Sequence, residues 1–276
     1  MSATGLAWRE RTAPYRAVLA SRVRSQRSHR ASFRTDVASS LLVGLVELAE
    51  VAVLYVQVES LGGLDLKAVL LVFAIADLGF SLADLVVGHC DNIPTYLRAG
   101  TLDVFYLRPQ PLLMQLITSD LQLRRLARAA VALVALVVAL VVNDVDWGVG
   151  AVGLLALALV CAPLTFAAMF VWAGGVQFFL VDGAEATNAF VYGGRYAASQ
   201  PATVWGRPLV VLFGFFFPMA FTAFLPVVTL LDLDGAQQLG LPGWIGWTTP
   251  LAVVWAWLLA ALSWRVGVRH YQGGGG

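Results

Sequence analysis

The stretch from Gly150 to Val181 reads GAVGLLALALVCAPLTFAAMFVWAGGVQFFLV and contains no Asp, Glu, Lys or Arg. About 20 such residues are enough for a helix to cross the hydrocarbon core of a bilayer. Five further apolar runs lie around it, and together they predict six transmembrane helices at 37–60, 66–88, 127–143, 150–181, 207–231 and 249–267. We expect the fourth helix to kink at Pro163 or to end near Gly174 and Gly175.

Composition supports an all-α integral membrane protein. Apolar residues make up 59% of the 276 residues and charged residues only 13%, whereas a soluble domain carries about 25% charged residues. Little chain remains outside the apolar runs for a separate catalytic domain. Three histidines and two cysteines are too scattered for a metal site, and we expect both cysteines to be unbridged; these residues are His29, His89, His270, Cys90 and Cys161.

The placement of basic residues predicts the orientation, because cytosolic loops of membrane proteins are enriched in Lys and Arg. A cytosolic N-terminus puts 17 of the 18 basic residues on the cytosolic side, with Arg195 and Arg207 among them and Lys67 as the exception. The predicted outer loops instead carry Asp65, Asp144, Asp146, Asp232 and Asp234. We therefore predict cytosolic ends. The Arg-rich, Ala-, Val- and Leu-rich composition indicates a GC-rich bacterial genome, and so the bacterial cytoplasmic membrane.

Three segments flank or interrupt the spans. Residues 1–36 are Arg-rich with apolar residues at helical spacing, which predicts an amphipathic helix on the cytosolic interface; a cleaved transit peptide is the alternative. Residues 269–276 are predicted to be a cytosolic tail that ends in a linker remnant, Gly273–Gly276. The segment 232–248 either dips back into the outer leaflet or forms an interfacial loop with its tryptophans at the membrane surface.

The largest predicted cytosolic loop, 89–126, lies between spans 2 and 3. It contains a predicted helix at 95–107 that Pro109 and Pro111 terminate. Such a helix could dock in a groove of a cytosolic partner through Phe105, Tyr106 and Leu107. An ordinary basic loop that only fixes the topology is the alternative from the residues alone.

The segment from Arg98 to Pro109, RAGTLDVFYLRP, resembles a stretch of bacterial type-2 ABC exporter permeases, in particular a six-span subfamily encoded with an ATPase. The fifth span, with Pro218 and Pro226, resembles the two-proline span of that subfamily, and the order of elements matches over the whole chain. One departure lies in the second cytosolic loop, where Tyr196 is separated from Pro201 instead of preceding a proline directly.

The resemblance implies the membrane subunit of an ABC exporter. Since no G-x-x-x-x-G-K-[ST] phosphate loop occurs in the chain, ATP and Mg would be bound by a separate ABC ATPase, and this chain would hold no cofactor and perform no catalysis. The loop at 95–108 would be the coupling helix, and residues 1–36 the elbow helix on the membrane lipids. The implied coupling residues are Arg98, Gly100, Leu102, Asp103, Phe105, Tyr106, Leu107 and Arg108.

The implied function is export of a hydrophobic or amphiphilic small molecule or lipid, cationic ones included, by alternating access. A second six-span permease, identical or related, would complete the path, and no nucleic-acid partner is expected. The alternative is a proton-coupled secondary transporter that uses the acids of spans 1 and 2, although no internal repeat supports it. A third hypothesis is a membrane-embedded assembly factor or enzyme, for which only those acids partly qualify.

Five polar residues inside spans 1 and 2 are candidates for the translocation path: Glu47, Glu50, Asp77, Ser81 and Asp84. A charged side chain in hydrocarbon costs about 2.5 kcal/mol or more, and no Lys or Arg lies deep in a predicted span to neutralise these acids. We therefore expect the acids to be protonated, to share a proton or to face a wet cavity. They either attract cationic substrates or merely hydrogen-bond between helices.

Overall fold

The computed structural model describes residues 13, 15, 20–21, 30–58, 60–119, 122, 125–180 and 184–271. These residues are almost entirely helical. The helices are α1 (Arg30–Gln57), α2 (Leu66–Val87), α3 (Ile93–Arg98), α4 (Leu102–Tyr106), α5 (Leu112–Ser119), α6 (Arg125–Val142), α7 (Val149–Gln177), α8 (Ala184–Ala198), α9 (Arg207–Leu209), α10 (Phe224–Leu230), α11 (Gly235–Gln238) and α12 (Thr249–His270). A π-helical turn (Val210–Phe216) continues α9, and 3₁₀ turns occupy Gly88–Asn92, Ala202–Val204, Met219–Phe221 and Gly243–Thr248.

Within the described residues, five helices are long and apolar enough to cross a membrane, and the count rises to six if a bent pair is taken as one span. The five are α1, α2, α6, α7 and α12. They coincide with predicted spans 1, 2, 3, 4 and 6. The predicted amphipathic helix at 1–36 lies largely outside the described residues, and from Arg30 onward the chain is already part of α1. Residues 273–276 also lie outside them.

Helix α2 is the centre of the bundle. In its most apolar window 72% of the residues are buried, against 17% in α1. The helix begins at Asp65, whose carboxylate accepts a hydrogen bond from the Ala68 backbone N–H at 2.9 Å and so caps the first turn. Helices α6 and α7 pack along its two sides. Because α2 is enclosed in this way, polar residues on it must find partners within the protein.

Helix α7 ends at Gln177, two residues after Gly175 and so close to the predicted end near Gly174 and Gly175, although both glycines are still within the helix. They serve close packing. A side chain on Gly175 would lie 2.5 Å from the backbone of Ser263 on α12, and one on Gly267 would lie 2.1 Å from the Gly175 carbonyl oxygen. Small residues let membrane helices approach closely, and α7 and α12 form the most extensive helix pair of the bundle.

The two ends of the bundle differ in charge. We call the end where α1 and α6 begin the basic end; α2, α7 and α12 finish there. The opposite end, formed by the loops at 60–65, 143–148 and 231–248, is called the acidic end, because it carries Asp65, Asp144, Asp146, Asp232 and Asp234.

Helix α8 runs from the basic end towards the acidic end. Near its start the Thr187 hydroxyl accepts a hydrogen bond from Gln177, the last residue of α7, at 2.7 Å. Beyond its end, the Thr203 hydroxyl donates to the Gly62 carbonyl at 2.7 Å, in the loop between α1 and α2. The segment 184–204 therefore traverses the bundle. The structure differs here from the prediction that 182–206 is a loop on the cytosolic side.

The helices that follow form a bent pair. Residues 207–216 and 219–230 meet at an angle of 66°. The first helix starts just after the Thr203 contact with Gly62, and the second returns to the acidic end, where the Thr229 hydroxyl donates to the Gly243 carbonyl at 2.7 Å. Between them, the ring of Phe217 lies 4.8 Å from that of Trp172 on α7. The predicted fifth span, 207–231, is thus a re-entrant pair that dips into the bundle, and α8 takes the place of the fifth span.

This rearrangement changes the distribution of basic residues. Arg195 on α8 lies inside the bundle and Arg207 at the acidic end, so neither belongs to the basic-end set to which the sequence assigned them. The segment 232–248 forms α11 and a 3₁₀ turn that packs against α10 and leads into α12. The remaining described arginines stay at the basic end, which preserves the orientation argument.

The path of α8 predicts a labelling pattern. In a variant without Cys90 and Cys161, Thr203→Cys should react with a membrane-impermeant thiol reagent from the same side as Asp144→Cys, because both lie at the acidic end. Arg108→Cys should react only from the opposite side. Labelling of Thr203→Cys together with Arg108→Cys would show that 182–206 is the loop predicted from hydropathy.

Candidate functional site

Arg195 of α8 is the centre of an ion-pair network inside the bundle. Its side chain is buried, with the residue 5% exposed. One guanidinium nitrogen donates to Glu47 Oε1 at 2.8 Å and a second donates to Glu47 Oε2, while Nε donates to Asp77 Oδ1 at 2.9 Å. The charge also lies 5.1 Å from the centre of the Phe80 ring. Arg195 therefore joins α8 to α1 and α2 at once.

Two arginines of α6 extend the network towards the basic end. Arg128 donates to Glu47 Oε1 at 2.9 Å, which gives that carboxylate a second cation. Arg125 pairs with Asp84 of α2 at 3.1 Å and also donates to the Asp84 backbone carbonyl. Arg195 and Arg128 balance the charges of Glu47 and Asp77, so this part of the network is neutral and each buried carboxylate has a guanidinium partner.

The structure thus brings most of the predicted path residues together, but it pairs their carboxylates with arginines, which was not predicted. The expectation that no cation would neutralise the acids is wrong, because arginines from α6 and α8 reach Glu47, Asp77 and Asp84. Glu50 stays exposed and outside the network. Ser81 is buried on α2, and its hydroxyl has no hydrogen-bond partner among the described residues.

Cavities lie on both sides of the contact between Glu47 and Arg195. A cleft of about 280 Å³ lies on the basic side, between α1, α2, α6 and α8. A smaller cavity of about 60 Å³ lies on the acidic side and is lined by Glu47, Glu50 and Arg195. Glu47 and Arg195 line only the smaller cavity, whereas Arg128, which pairs with Glu47, lines the larger one.

The predicted coupling segment consists of two short helices, α3 and α4, and not of one helix over 95–107. Gly100 divides them with a φ of +64°, a backbone conformation that favours glycine. The Thr101 N–H bonds to the Tyr96 carbonyl at 3.1 Å and the Gly100 N–H to the Leu97 carbonyl at 3.1 Å. These bonds close the end of α3.

One face of the segment formed by α3 and α4 packs against the rest of the protein, and the other face is exposed. Leu102 is fully buried, and Phe105 is partly buried against the ring of Tyr96, at 5.4 Å between ring centres. Leu107 is 85% exposed, and Val104 and Tyr106 are also exposed. Arg98 and Arg108 flank this surface, and Arg108 also lies 5.7 Å from the centre of the Phe105 ring. An apolar surface at Val104 and Leu107 is therefore available to a partner, whereas Phe105 anchors the segment.

Tyr271, just after α12, ties the end of that helix to the segment. Its hydroxyl donates to Asp103 Oδ1 at 2.7 Å, and its ring stacks on Tyr106 at 5.5 Å. Partial burial, together with the hydrogen bond and charge of Asp103, raises the pKa of Tyr271 to about 12. Tyr271 is consequently a neutral donor to Asp103 at any physiological pH, and it connects α4 to the end of α12.

Comparison with known proteins identifies the family. A model of the ABC-2 family transporter proteins matches residues 41–275. The chain belongs to the ABC-2 transporter family. No curated protein and no solved structure matches it. As a member of this family the chain is a transport permease subunit, not itself an enzyme, and an integral membrane protein, which agrees with its apolar helices.

Several residues of this ABC-2 family protein escaped prediction from the sequence. Hydropathy predicts a loop position for Arg195, because the sequence does not show whether the acids of spans 1 and 2 are neutralised by protons or by a cation. Arg125 and Arg128 were read only as topology signals. Tyr192, which donates to Asp91 at 3.0 Å, and Tyr271 had no sequence signal that distinguished them from other tyrosines. Both cysteines are buried and unbridged, as predicted.

The network predicts unequal effects for two glutamates on α1. Glu47→Gln removes the charge that Arg195 and Arg128 share, and breaking a buried ion pair costs about 3 to 5 kcal/mol. We expect a clearly lower midpoint of thermal unfolding in detergent. Glu50→Gln, an exposed position on the same helix, is the control and should leave the midpoint unchanged. Equal midpoints for the two variants would contradict the network.

The turn between α3 and α4 predicts an effect of Gly100→Ala. No atom lies within 4 Å of the added methyl group, so only the positive φ opposes it, at about 1 to 2 kcal/mol. Backbone amides of α3 and α4 should exchange faster with deuterated solvent. Gly148→Ala, which also has open space but no positive φ, should leave its own region unchanged. Unaltered exchange at 96–106 would be inconsistent with this turn.

Proposed function

We propose that this ABC-2 family protein is the membrane subunit of an ATP-driven exporter. It would work with a separate ABC ATPase and a second six-span permease, identical or related. It would move a hydrophobic or amphiphilic small molecule or lipid, cationic ones included, out of the bacterial cytosol by alternating access. The observation that carries the proposal is an exposed apolar surface on a two-helix segment at the basic end, the end that the arginine distribution favours as cytosolic.

The coupling role is supported by how α3 and α4 are attached. The anchor residues Leu102 and Phe105 pack with Ile93, Leu116 and Phe178 in a small core of their own. Tyr271 adds a link to α12. A push on the exposed side of α4 by an ATPase would therefore reach α7 and α12, which pack closely at Gly175 and Gly267. These contacts thus connect α4 with the two long helices α7 and α12.

Alternating access is supported by the arrangement around Arg195. Helix α1 has few buried residues, and its polar attachment to the bundle is the pair of arginines on Glu47. Ion pairs with discrete partners can be exchanged as helices shift. We infer that α1 and α8 separate during transport and join the cavities on the two sides of Glu47. The candidate path residues Glu47, Asp77, Ser81 and Asp84 lie along that opening, and Glu50 lies beside it.

The proton-coupled alternative gains no support. A proton relay needs carboxylates that bind and release protons, whereas Glu47, Asp77 and Asp84 are held as partners of arginines. The family match likewise gives no indication of a proton-coupled transporter.

Copurification tests the proposal. The full-length protein, isolated in mild detergent from its native membrane, should retain a polypeptide with a G-x-x-x-x-G-K-[ST] motif and ATPase activity. Leu107→Asp should abolish this association, because it places a charge in the apolar docking surface. Val149→Asp makes a similar change at an exposed valine of the acidic end and should preserve the complex. An intact complex with Leu107→Asp would exclude this surface, and the absence of any ATPase would overturn the proposed function.

A further inference from the structure

The turn between α2 and the coupling segment is packed inside the protein. This turn, Gly88–Asn92, is called the connecting turn here, and its residues His89 and Cys90 are buried. A side chain on Gly174 of α7 would lie 2.6 Å from the Cys90 carbonyl oxygen, so the turn lies directly against the backbone of that helix. The polar side chains of the connecting turn therefore need partners within the protein.

One of these partners belongs to the coupling segment. The His89 ring shares a hydrogen bond with the Tyr96 hydroxyl of α3, and the two rings meet edge to face at 5.4 Å between their centres. The Tyr96 ring also lies 5.4 Å from that of Phe105, the residue that anchors α4. A displacement of α4 would therefore move Tyr96 and with it the bond to the connecting turn.

The other partner belongs to α8. Asp91 Oδ2 accepts a hydrogen bond from the Tyr192 hydroxyl at 3.0 Å. Tyr192 precedes Arg195 by three residues, so both side chains lie on the same side of α8. They also share a neighbour on α2, because the Phe80 ring lies 5.6 Å from the Tyr192 ring and 5.1 Å from the Arg195 guanidinium. The position of Tyr192 is thus tied to that of the arginine that binds Glu47.

Other described links from the coupling segment are less suited to move α8. Tyr271 connects α4 to α12, which contributes no described residue to the ion-pair network. Helix α2 carries Asp77 of that network, but it is enclosed by α6 and α7. The contact between Tyr192 and Asp91 is a single hydrogen bond between side chains. Such a bond to a carboxylate shifts an equilibrium by about 10- to 100-fold, which suits a contact that is made in one state and broken in another.

We propose that the hydrogen bond between Tyr192 and Asp91 passes movement of the coupling segment to α8 and so controls whether Arg195 stays on Glu47. Tyr192 is a positioning residue, because it acts on the path only through Arg195. The inference rests on the proposed function and deepens it. An ATPase would displace α4, Tyr96 would shift the connecting turn, and the turn would draw Tyr192 with it.

The test follows the separation of α1 and α8 in the complex with its copurifying ATPase, in nanodiscs. Ser199→Cys, in a variant without Cys90 and Cys161, supplies the reporter thiol. Ser199 is 6% exposed and lines the small cavity with Arg195, so separation of the two helices would uncover it. The rate at which the thiol reacts with a water-soluble reagent is measured with ATP and with ADP.

Matched variants of this parent isolate the bond. In the parent the two rates should differ at least about tenfold, and Tyr192→Phe or Asp91→Ala should reduce the difference below about threefold. The double variant should respond like either single variant, since all three lack the same bond. Tyr55→Phe is the control: it removes a hydroxyl that donates to the Leu64 carbonyl at 3.4 Å, at the acidic end, and should keep the tenfold difference.

Two results would overturn the inference alone. A bond that is only structural would lower the midpoint of thermal unfolding in Tyr192→Phe but leave its response to nucleotide intact. A larger loss of response in the double variant than in either single one would show that Tyr192 and Asp91 act independently. Absence of a nucleotide response in the parent, or of any ATPase in the complex, would instead overturn the proposed function and the inference with it.

Discussion

A carboxylate enclosed by helices in a membrane must be neutralised, by a proton or by a cation beside it, and in this bundle arginines from other helices supply the cation. Glu47 and Asp77 lie near the middle of α1 and α2, where hydrocarbon provides no hydration. The structure satisfies them with Arg195, which can reach both only if α8 runs alongside these helices. This contact therefore holds α8 beside α1 and α2.

The contact between Arg195 and Glu47 explains how α1, a helix with few buried residues, is attached to the bundle. Helix α2 is held by close packing on all sides, but α1 buries few of its residues and depends on Glu47 for a specific attachment. Apolar packing has little directional preference, whereas an arginine–carboxylate pair has a fixed geometry. The bundle thus combines a buried centre of α2 and α7 with the peripheral helix α1, whose Glu47 is held by two arginines. That division suits a protein in which one helix moves against a stable core.

Hydropathy was sufficient to predict α1, α2, α6, α7 and α12, because each has an apolar run of the required length. It failed for α8, since Glu185, Asn188 and Arg195 lower the apolar content of a helix that nonetheless lies inside the protein. Hydropathy also predicted 207–231 as one span, because amino-acid composition gives no indication of the 66° bend between the two helices. The other described arginines still lie at one end of the bundle, so the orientation predicted from the positive-inside rule stays a prediction.

The acids of the candidate site could be predicted from the sequence, but the arginines that pair with them could not. Glu47, Asp77 and Asp84 are unusual in apolar runs, and their identity alone marks them. Their cations come from other helices, so pairing depended on a tertiary arrangement that sequence spacing does not encode. The coupling segment was found from its residues, yet Gly100 divides it into two helices, and the link to Tyr271 joins positions 168 residues apart.

The composition of α8 has a consequence for biogenesis. A helix with an arginine in its last turn partitions less readily into lipid by itself, because a charged side chain in hydrocarbon is costly. Glu47 and Asp77 are synthesised more than 100 residues earlier, on α1 and α2. Glu47 can pair with Arg128 of α6 before α8 is synthesised, whereas Asp77 gains its cation only with Arg195. Insertion of α8 is therefore expected to follow the assembly of α1, α2 and α6, because Asp77 then offers a partner for the arginine.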